Sequence, residues 1–130
     1  MDEATTARLE ARRARLLHKQ LYVITMTARP MADPLAELAP LSTAHLDFID
    51  DLEARDILFG AGPIRHEDGK WDGIGMAIVR AAPIDEARAL AESEPFHKAG
   101  QRRNTVAGWQ LNEGSIDVRV RLSAHRFEIG

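Results

Sequence analysis

The chain has 130 residues, of which 45% are hydrophobic and 28% are charged, and its formal net charge is -3. This length and composition are typical of one globular domain and exclude a disordered chain, and so weak a charge creates no field that favours nucleic acid or an anionic membrane. The sequence contains no cysteine, which excludes disulfides, thiolate catalysis and cysteine-based zinc sites. The N-terminal residues lack the apolar segment of a secretory signal, and no apolar run approaches the ~20 residues that span a bilayer, so we expect a cytoplasmic protein with no membrane contact.

The first two predicted elements are a helix over residues 2–19 and a strand over residues 21–28. Asp2 is a suitable helix cap, and alanines and leucines form a thin apolar stripe along the helix. Its many arginines are typical of a solvated face, and the alternative is an arm that binds a polyanion. Residues 21–28 (LYVITMTA) are short and rich in β-branched side chains, which favours a buried strand.

Residues 29–40 contain three prolines and are predicted to form a connecting loop with room for one helical turn. Ser42 is the predicted cap of the next helix, which covers residues 42–56 and repeats Leu46, Ile49 and Leu52 at helical spacing.

The second half of the chain predicts five strands, one helix and one further helical turn. The apolar segments 57–64 and 74–82 flank a turn-rich stretch and predict an antiparallel hairpin. Pro83 opens a helix that ends at Glu94-Pro95, where the proline disfavours the helical conformation of the residue before it. One further turn, closed by Gly100, precedes the strands predicted at 105–112, 115–122 and 125–129.

This order of elements predicts an α+β fold of the split βαβ, or ferredoxin-like, kind: one antiparallel βαββαβ sheet with two helices on one face, an N-terminal helix and an added C-terminal strand. Strands 21–28 and 74–82 are apolar at nearly every position, so both sheet faces require burial while the two helices cover one. We therefore predict a homodimer formed through the open sheet face. The alternative is a monomer in which the N-terminal helix covers that face.

Two side chains are candidates for acid–base chemistry. His45 precedes Ile49 and Leu52 by one and two helical turns, so it points toward the sheet from the first turn of the predicted helix. Glu94 continues the inward face of Leu90 and Ala91 at a helix C-terminus. The helix dipoles are expected to lower the pKa of the histidine and to raise the pKa of the carboxyl, toward the neutral range in which general bases and acids work. Direct pairing of the two groups would oppose both shifts, so the helix ends alone do not fix their direction. The alternative is a structural histidine and a solvated carboxylate.

The other candidate residues lie near strand ends. Gly62 and Pro63, with Gly60, end a strand and favour a tight turn that permits close approach of backbone or ligand. Arg29 and Arg80 are placed either to bind a carboxylate-bearing ligand or on the surface. We expect the aromatic side chains of Phe96, Trp71 and Trp109 either to line a cleft or to pack in the core or an interface. The histidines show no metal-ligand spacing, and we predict no metal site.

The ordered segments LYVITMTARP, AHLDFIDDLEARDILFGAGPI, MAIVRAAPIDEARALAESEPFHKAG and VAGWQLNEG resemble the YCII-like proteins, a family of small dimeric α/β-barrel domains. The resemblance covers roughly residues 20–114, so residues 1–19 are predicted as a helical extension and residues 115–130 as a β extension of the same domain. It implies a ferredoxin-like dimer, a cleft beside the sheet, and a histidine with an acid as the active pair. The family usually has aspartate where this sequence has Glu94, which is one methylene longer.

Some members of the family break down aromatic compounds, as dehalogenating or lactone-handling enzymes, without a metal or cofactor. The first functional hypothesis is accordingly a cofactor-free enzyme in which His45 and Glu94 act on a small cyclic organic molecule as a lyase or isomerase, with Arg29, Gly62, Pro63, Arg80 and Phe96 contacting the substrate. The alternatives are a non-catalytic module that binds a small ligand and a structural or partner-binding domain that uses the basic helix.

Overall fold

The protein was analysed as a computed structural model that describes residues 1–81 and 83–130. Its elements are, in chain order, α1 (Glu3–Ala14), β1 (Lys19–Ala28), α2 (Pro34–Ala54), β2 (Leu58–Pro63), β3 (Gly75–Val79), α3 (Ile84–Ser93), α4 (Pro95–Lys98), β4 (Arg102–Leu111), β5 (Val118–Arg121) and β6 (Arg126–Ile129). Within the described residues, no helix is both long and apolar enough to cross a membrane.

Strands β1 to β4 form one sheet in the order β2-β3-β1-β4. Strand β3 pairs antiparallel with β1, where Ile24 is opposite Ala77, and antiparallel with β2, where Gly62 is opposite Met76. This is the strand order of the split βαβ fold, and the predicted α+β class and the hairpin of β2 and β3 are confirmed. Ala82, which the sequence placed in the second hairpin strand, lies outside the described residues.

The chain divides into two compact units. One comprises residues 20–110 and contains the four-stranded sheet; its core includes Ile24, Ala77 and Val79 from the sheet and Leu52 and Ala87 from the helices. The other comprises residues 1–19 and 111–130. In it, Asp2 caps α1 as predicted, by accepting a hydrogen bond from the Thr5 backbone N–H. Strands β5 and β6 pair with each other as a separate two-stranded sheet rather than with the main sheet.

The face of the main sheet opposite the core carries Val23 and Thr25 on β1 and their partners Ile78 and Met76 on β3. Thr25 and Met76 are exposed, and the other two side chains are half-buried. Alternation along the strands explains this pattern, since successive residues point to opposite faces. The second face is therefore apolar, as the sequence indicated.

The start of α2 differs from the prediction of a loop over residues 29–40. The helix begins at Pro34, a position whose backbone N–H would have no partner within the helix, so a proline costs no hydrogen bond there. Asp33 caps it by accepting from the Ala36 N–H at 3.3 Å, and the Glu37 carboxylate accepts from the Asp33 N–H at 3.1 Å, which is a reciprocal capping box. Pro40 is an exposed residue inside the helix.

Ser42 is consequently not a cap, and its prediction as one was wrong. Its hydroxyl donates to the Leu38 carbonyl at 3.0 Å in the middle of α2. His45 therefore lies well inside the helix rather than in its first turn, so the expected influence of the helix N-terminus on its ring does not apply.

Candidate functional site

A cavity of about 340 Å³ opens between α2 and the ends of β2 and β3. Five residues of α2 border it, and Ser42, His45 and Ile49 among them recur at helical spacing. This is the inward face that the sequence predicted for His45. The remaining wall is largely apolar, and its members are Met26, Leu35, Leu46, Ala61, Gly62, Pro63, Arg65, Trp71, Gly75, Met76, Phe96 and Arg102.

His45 borders this cavity, and the fully buried Glu94 contacts it from behind the cavity wall. The His45 Nδ1 and Glu94 Oε1 atoms are 2.7 Å apart, although the two residues are 49 positions apart in the sequence. The His45 side chain retains 18% exposure, whereas the Glu94 side chain is fully buried. The ring of His45 also packs on Phe96, with the ring centroids 5.0 Å apart.

Glu94 occupies the junction of two helices. It follows the last residue of α3, and it is the cap of the short helix α4, since its Oε2 accepts from the His97 backbone N–H at 2.7 Å. The Asn104 side-chain amide lies 3.4 Å from the same oxygen and also donates to the Ala91 carbonyl at 2.9 Å. Both carboxylate oxygens are thus hydrogen-bonded, one to the histidine and one to the protein interior.

These contacts determine the direction in which the pKa of Glu94 is shifted. Burial raises the pKa of its carboxyl, but the hydrogen bonds from His45 and the His97 N–H outweigh burial and hold the pKa below its ordinary value. The helix end by itself favoured a raised pKa, and a contact with His45 was expected to oppose that shift; the His45 contact and the His97 N–H at the start of α4 together give the lowered pKa. An ionised carboxylate accepts hydrogen bonds only, so His45 Nδ1 is the donor, and Nε2 is the ring nitrogen left to exchange a proton with a ligand.

Arg102 is a member of the site that the sequence did not suggest. It is 6% exposed, borders the cavity, and donates from Nε to the Gly73 carbonyl at 2.9 Å. Its guanidinium lies over the Phe96 ring, 4.5 Å from the centroid. The strand was predicted to start at residue 105, whereas β4 starts at Arg102. Residues 102–105 are all polar and show no apolar alternation, so the sequence holds no signal for this extension.

The predicted substrate contacts separate into two groups. Gly62, Pro63 and Phe96 border the cavity together with His45. A Cβ atom built at Gly62 would meet no atom within 4 Å, so this glycine leaves open space beside the cavity. Gly62 lies in an extended strand rather than in a tight turn.

Arg29 and Arg80 are not among the residues that border the cavity. Arg29 lies 3.8 Å from the Glu37 carboxylate at the protein surface. Arg80 donates to the Leu58 carbonyl at 2.8 Å and lies over the Phe59 ring. Ligand contacts by these two arginines stay predictions. In the part of the chain that is described, no group of three or more histidine and acidic side chains is arranged to hold a metal ion.

One solved structure similar to this chain is 5-chloro-2-hydroxyhydroquinone dehydrochlorinase (TftG) from Burkholderia phenoliruptrix, in complex with 2,5-dihydroxybenzoquinone. The two are 28% identical and superpose with a TM-score of 0.56 over 68% of this chain and 92% of the other. A comparison with curated protein sequences finds no match.

The sequence profile of the YCII-related domain matches residues 20–110, which is well over half of the chain. This range coincides with the unit that holds the four-stranded sheet, the cavity and the paired His45 and Glu94. The chain therefore belongs to the family of YCII-related domains.

Proposed function

We propose that this protein is an enzyme that binds a small hydroxylated ring in the cavity and moves protons on it with His45 as the base. The observation that carries the proposal is the 2.7 Å bond between His45 Nδ1 and the fully buried Glu94 carboxylate at the cavity wall. The carboxylate fixes the ring and its tautomer, so that Nε2 is left to take a proton from a ligand. Glu94 acts here as the partner of the histidine and not as a proton donor, because its lowered pKa keeps it ionised.

Dehydrochlorination of a hydroxyhydroquinone suits this equipment, and the similar structure of a dehydrochlorinase supports the choice. In this reaction, one hydroxyl proton is transferred to the ring carbon that carries chlorine. Chloride then leaves with the bonding electrons, a second hydroxyl proton is lost, and a hydroxyquinone is formed. The ring is oxidised as the carbon–chlorine bond is cleaved, so the step balances without an added oxidant. One base that accepts and returns a proton is enough for this sequence.

The test is to incubate the purified full chain, without oxygen, with 5-chloro-2-hydroxyhydroquinone and with its chlorine-free analogue. We expect chloride release and a quinone absorbance with the chlorinated compound, at a rate well above that in buffer, and no reaction with the analogue. A panel of chlorinated hydroquinones and lactones defines the ring that is accepted. Binding of these rings without turnover would instead support a non-catalytic ligand-binding module, and neither binding nor turnover would reject the proposal.

We also propose that two copies of the chain pair through the sheet face of Val23, Thr25, Met76 and Ile78. The support is the apolar character of this face in a unit whose core lies on the other side of the sheet. Covering exposed apolar surface is the usual driving force for such pairing. Light scattering is expected to give twice the chain mass of 14.4 kDa. A replacement of Met76 by Lys should shift the particle toward the monomer, and a wild-type particle near the chain mass would contradict the dimer.

A further inference from the structure

Arg102 is a buried cation whose hydrogen bonds are incomplete. A guanidinium carries five N–H donors. The Nε–H is used by the Gly73 carbonyl at 2.9 Å, and the described contacts of Nη1 are the Met26 sulfur at 3.4 Å, a weak acceptor, and Glu94 Oε1 at 4.0 Å, beyond hydrogen-bond length. The terminal nitrogens are therefore short of strong acceptors although the side chain is almost fully buried.

Glu94 does not neutralise this cation in full, since its charge is shared with other donors. The oxygen nearer to Arg102 is the acceptor for His45 Nδ1, and the other oxygen accepts from the His97 N–H. Burial lowers the pKa of Arg102 and the nearby Glu94 charge opposes that effect, but an arginine stays protonated in proteins. A buried charge with unfilled donors costs stability unless an anion or acceptor completes it.

The cavity has a positive character. Arg65 and Arg102 both border it, and no aspartate or glutamate does so among the residues described. A neutral ring would bring no negative charge to the guanidinium of Arg102. A ring with an ionised oxygen would accept charge-assisted hydrogen bonds from the terminal N–H groups of the guanidinium and reduce the deficit of acceptors.

Phe96 sets the position of Arg102 relative to the histidine. The guanidinium lies over the Phe96 ring at 4.5 Å from its centroid, and the His45 ring centroid is 5.0 Å from that of the same side chain. A six-membered ring that places one oxygen on the guanidinium thus lies beside the histidine. The cation is held rigidly on Phe96 and Gly73, so little side-chain freedom is lost on binding.

From these observations we infer that Arg102 is the anion-binding residue of the cavity, and that the preferred ligands are small planar rings bearing an ionised oxygen, such as hydroxyquinonate or phenolate anions. The inference rests on the proposed function, which places the ligand in the cavity. It adds that the ligand is an anion and that Arg102 binds the charge. It assigns to Arg102 a role in binding and in the selection of ligands, whereas His45 retains the proton transfer.

Equilibrium titration at neutral pH with two probes tests this inference. 2,5-Dihydroxybenzoquinone is ionised under these conditions, because its negative charge is delocalised over the ring, and 1,4-hydroquinone is neutral. We expect the wild type to prefer the anion, and R102M to weaken binding of the anion by roughly 10- to 100-fold, the effect typical of losing a charge-assisted hydrogen bond. Binding of hydroquinone should be unchanged.

Two further variants act as controls. Arg103 is the exposed neighbour on β4, so R103M removes the same charge outside the cavity and should bind both probes like the wild type. R102K keeps the charge without the paired donors and should fall between wild type and R102M. If circular dichroism shows that R102M is unfolded, the wild-type preference for the anion and the intermediate affinity of R102K carry the test.

The inference is overturned if the wild type binds hydroquinone as tightly as the anion, or if folded R102M keeps the preference for the anion. Its failure is distinct from failure of the proposed reaction. Anion binding that depends on Arg102 without any chloride release rejects the reaction only. Chloride release by R102M together with wild-type affinity for 2,5-dihydroxybenzoquinone rejects the anion site only.

Discussion

Replacement of His45 by Ala is expected to lower kcat for chloride release by roughly 100- to 10,000-fold, the range over which a positioned general base contributes to catalysis. The reason is that Nε2 of this ring is the proposed acceptor of the substrate hydroxyl proton, held in place by Glu94 at 2.7 Å. Because the ring also packs on Phe96, a modest increase in KM accompanies the loss. Initial rates of chloride release at several substrate concentrations separate the two parameters.

The matched control is H66A. His66 lies on the exposed connection between β2 and β3 and pairs with Asp72, so its loss removes a histidine and an ion pair without altering the cavity wall. H66A should turn over like the wild type. Turnover by folded H45A equal to that of the wild type would eliminate His45 as the base, and binding of 2,5-dihydroxybenzoquinone by H45A would show that the cavity itself is intact.

Replacement of Glu94 by Gln is expected to reduce kcat by a comparable factor while leaving KM nearly unchanged. The amide has nearly the shape of the carboxylate, but its negative charge is absent and it cannot enforce the tautomer in which Nδ1 carries the proton. In serine proteases, replacing the carboxylate partner of the histidine by its amide costs about 10⁴ in kcat. Glu94 is a positioning residue in this account, since it acts on substrate only through His45.

Rescue by a shorter carboxylate separates positioning from a purely structural role. E94D keeps the negative charge and should recover a large part of the activity that E94Q loses, although the missing methylene lengthens the contact with His45. A purely structural Glu94 would give E94D and E94Q the same rate at equal thermal stability. Equal kcat in wild type and E94Q would contradict the assigned role directly.

The same variant has a characteristic effect on stability in acid. The pKa of Glu94 is below its ordinary value of 4.5 in the folded chain, so the unfolded chain takes up this proton first as the pH falls. The free energy of unfolding contributed by the carboxylate is therefore present above about pH 4.5 and is lost as the pH falls through the lowered pKa. The difference in stability between wild type and E94Q should shrink over that interval.

Local periodicity was sufficient to predict most of the fold and the direction of both candidate side chains. Short runs of apolar residues predicted β1 to β3, and the spacing of His45, Ile49 and Leu52 predicted the face of α2 that borders the cavity. These patterns are reliable because a strand or helix buries a face that its own repeat defines. The family match over residues 20–110 confirms the resemblance carried by the same segments.

The start of α2 was not predicted, because three prolines within residues 29–40 favoured a connecting loop over a continuous helix. Pro34 stands where a helix has no need of an N–H, and the reciprocal bonds of Asp33 and Glu37 compensate the unpaired donors of the first turn. Asp33 and Glu37, on either side of Pro34, are visible in the sequence as a possible capping pair. Whether they begin a helix depends on whether the apolar residues that follow have a surface to pack against. Leu38 is buried, and this burial depends on the tertiary structure.

What the sequence by itself determined is the order of elements, the split βαβ class and the inward direction of His45 and Glu94, since each follows from residues close together in the chain. Tertiary structure decided the chemistry of the site. The 2.7 Å contact joins residues 49 positions apart, Glu94 is held ionised by donors from α4 and by His45, and Arg102 is buried over Phe96 by the pairing of β4 into the sheet. Charge and hydrogen bonding in a buried site depend on neighbouring residues that only folding brings together. The periodicity of a single helix or strand does not indicate which residues those neighbours are.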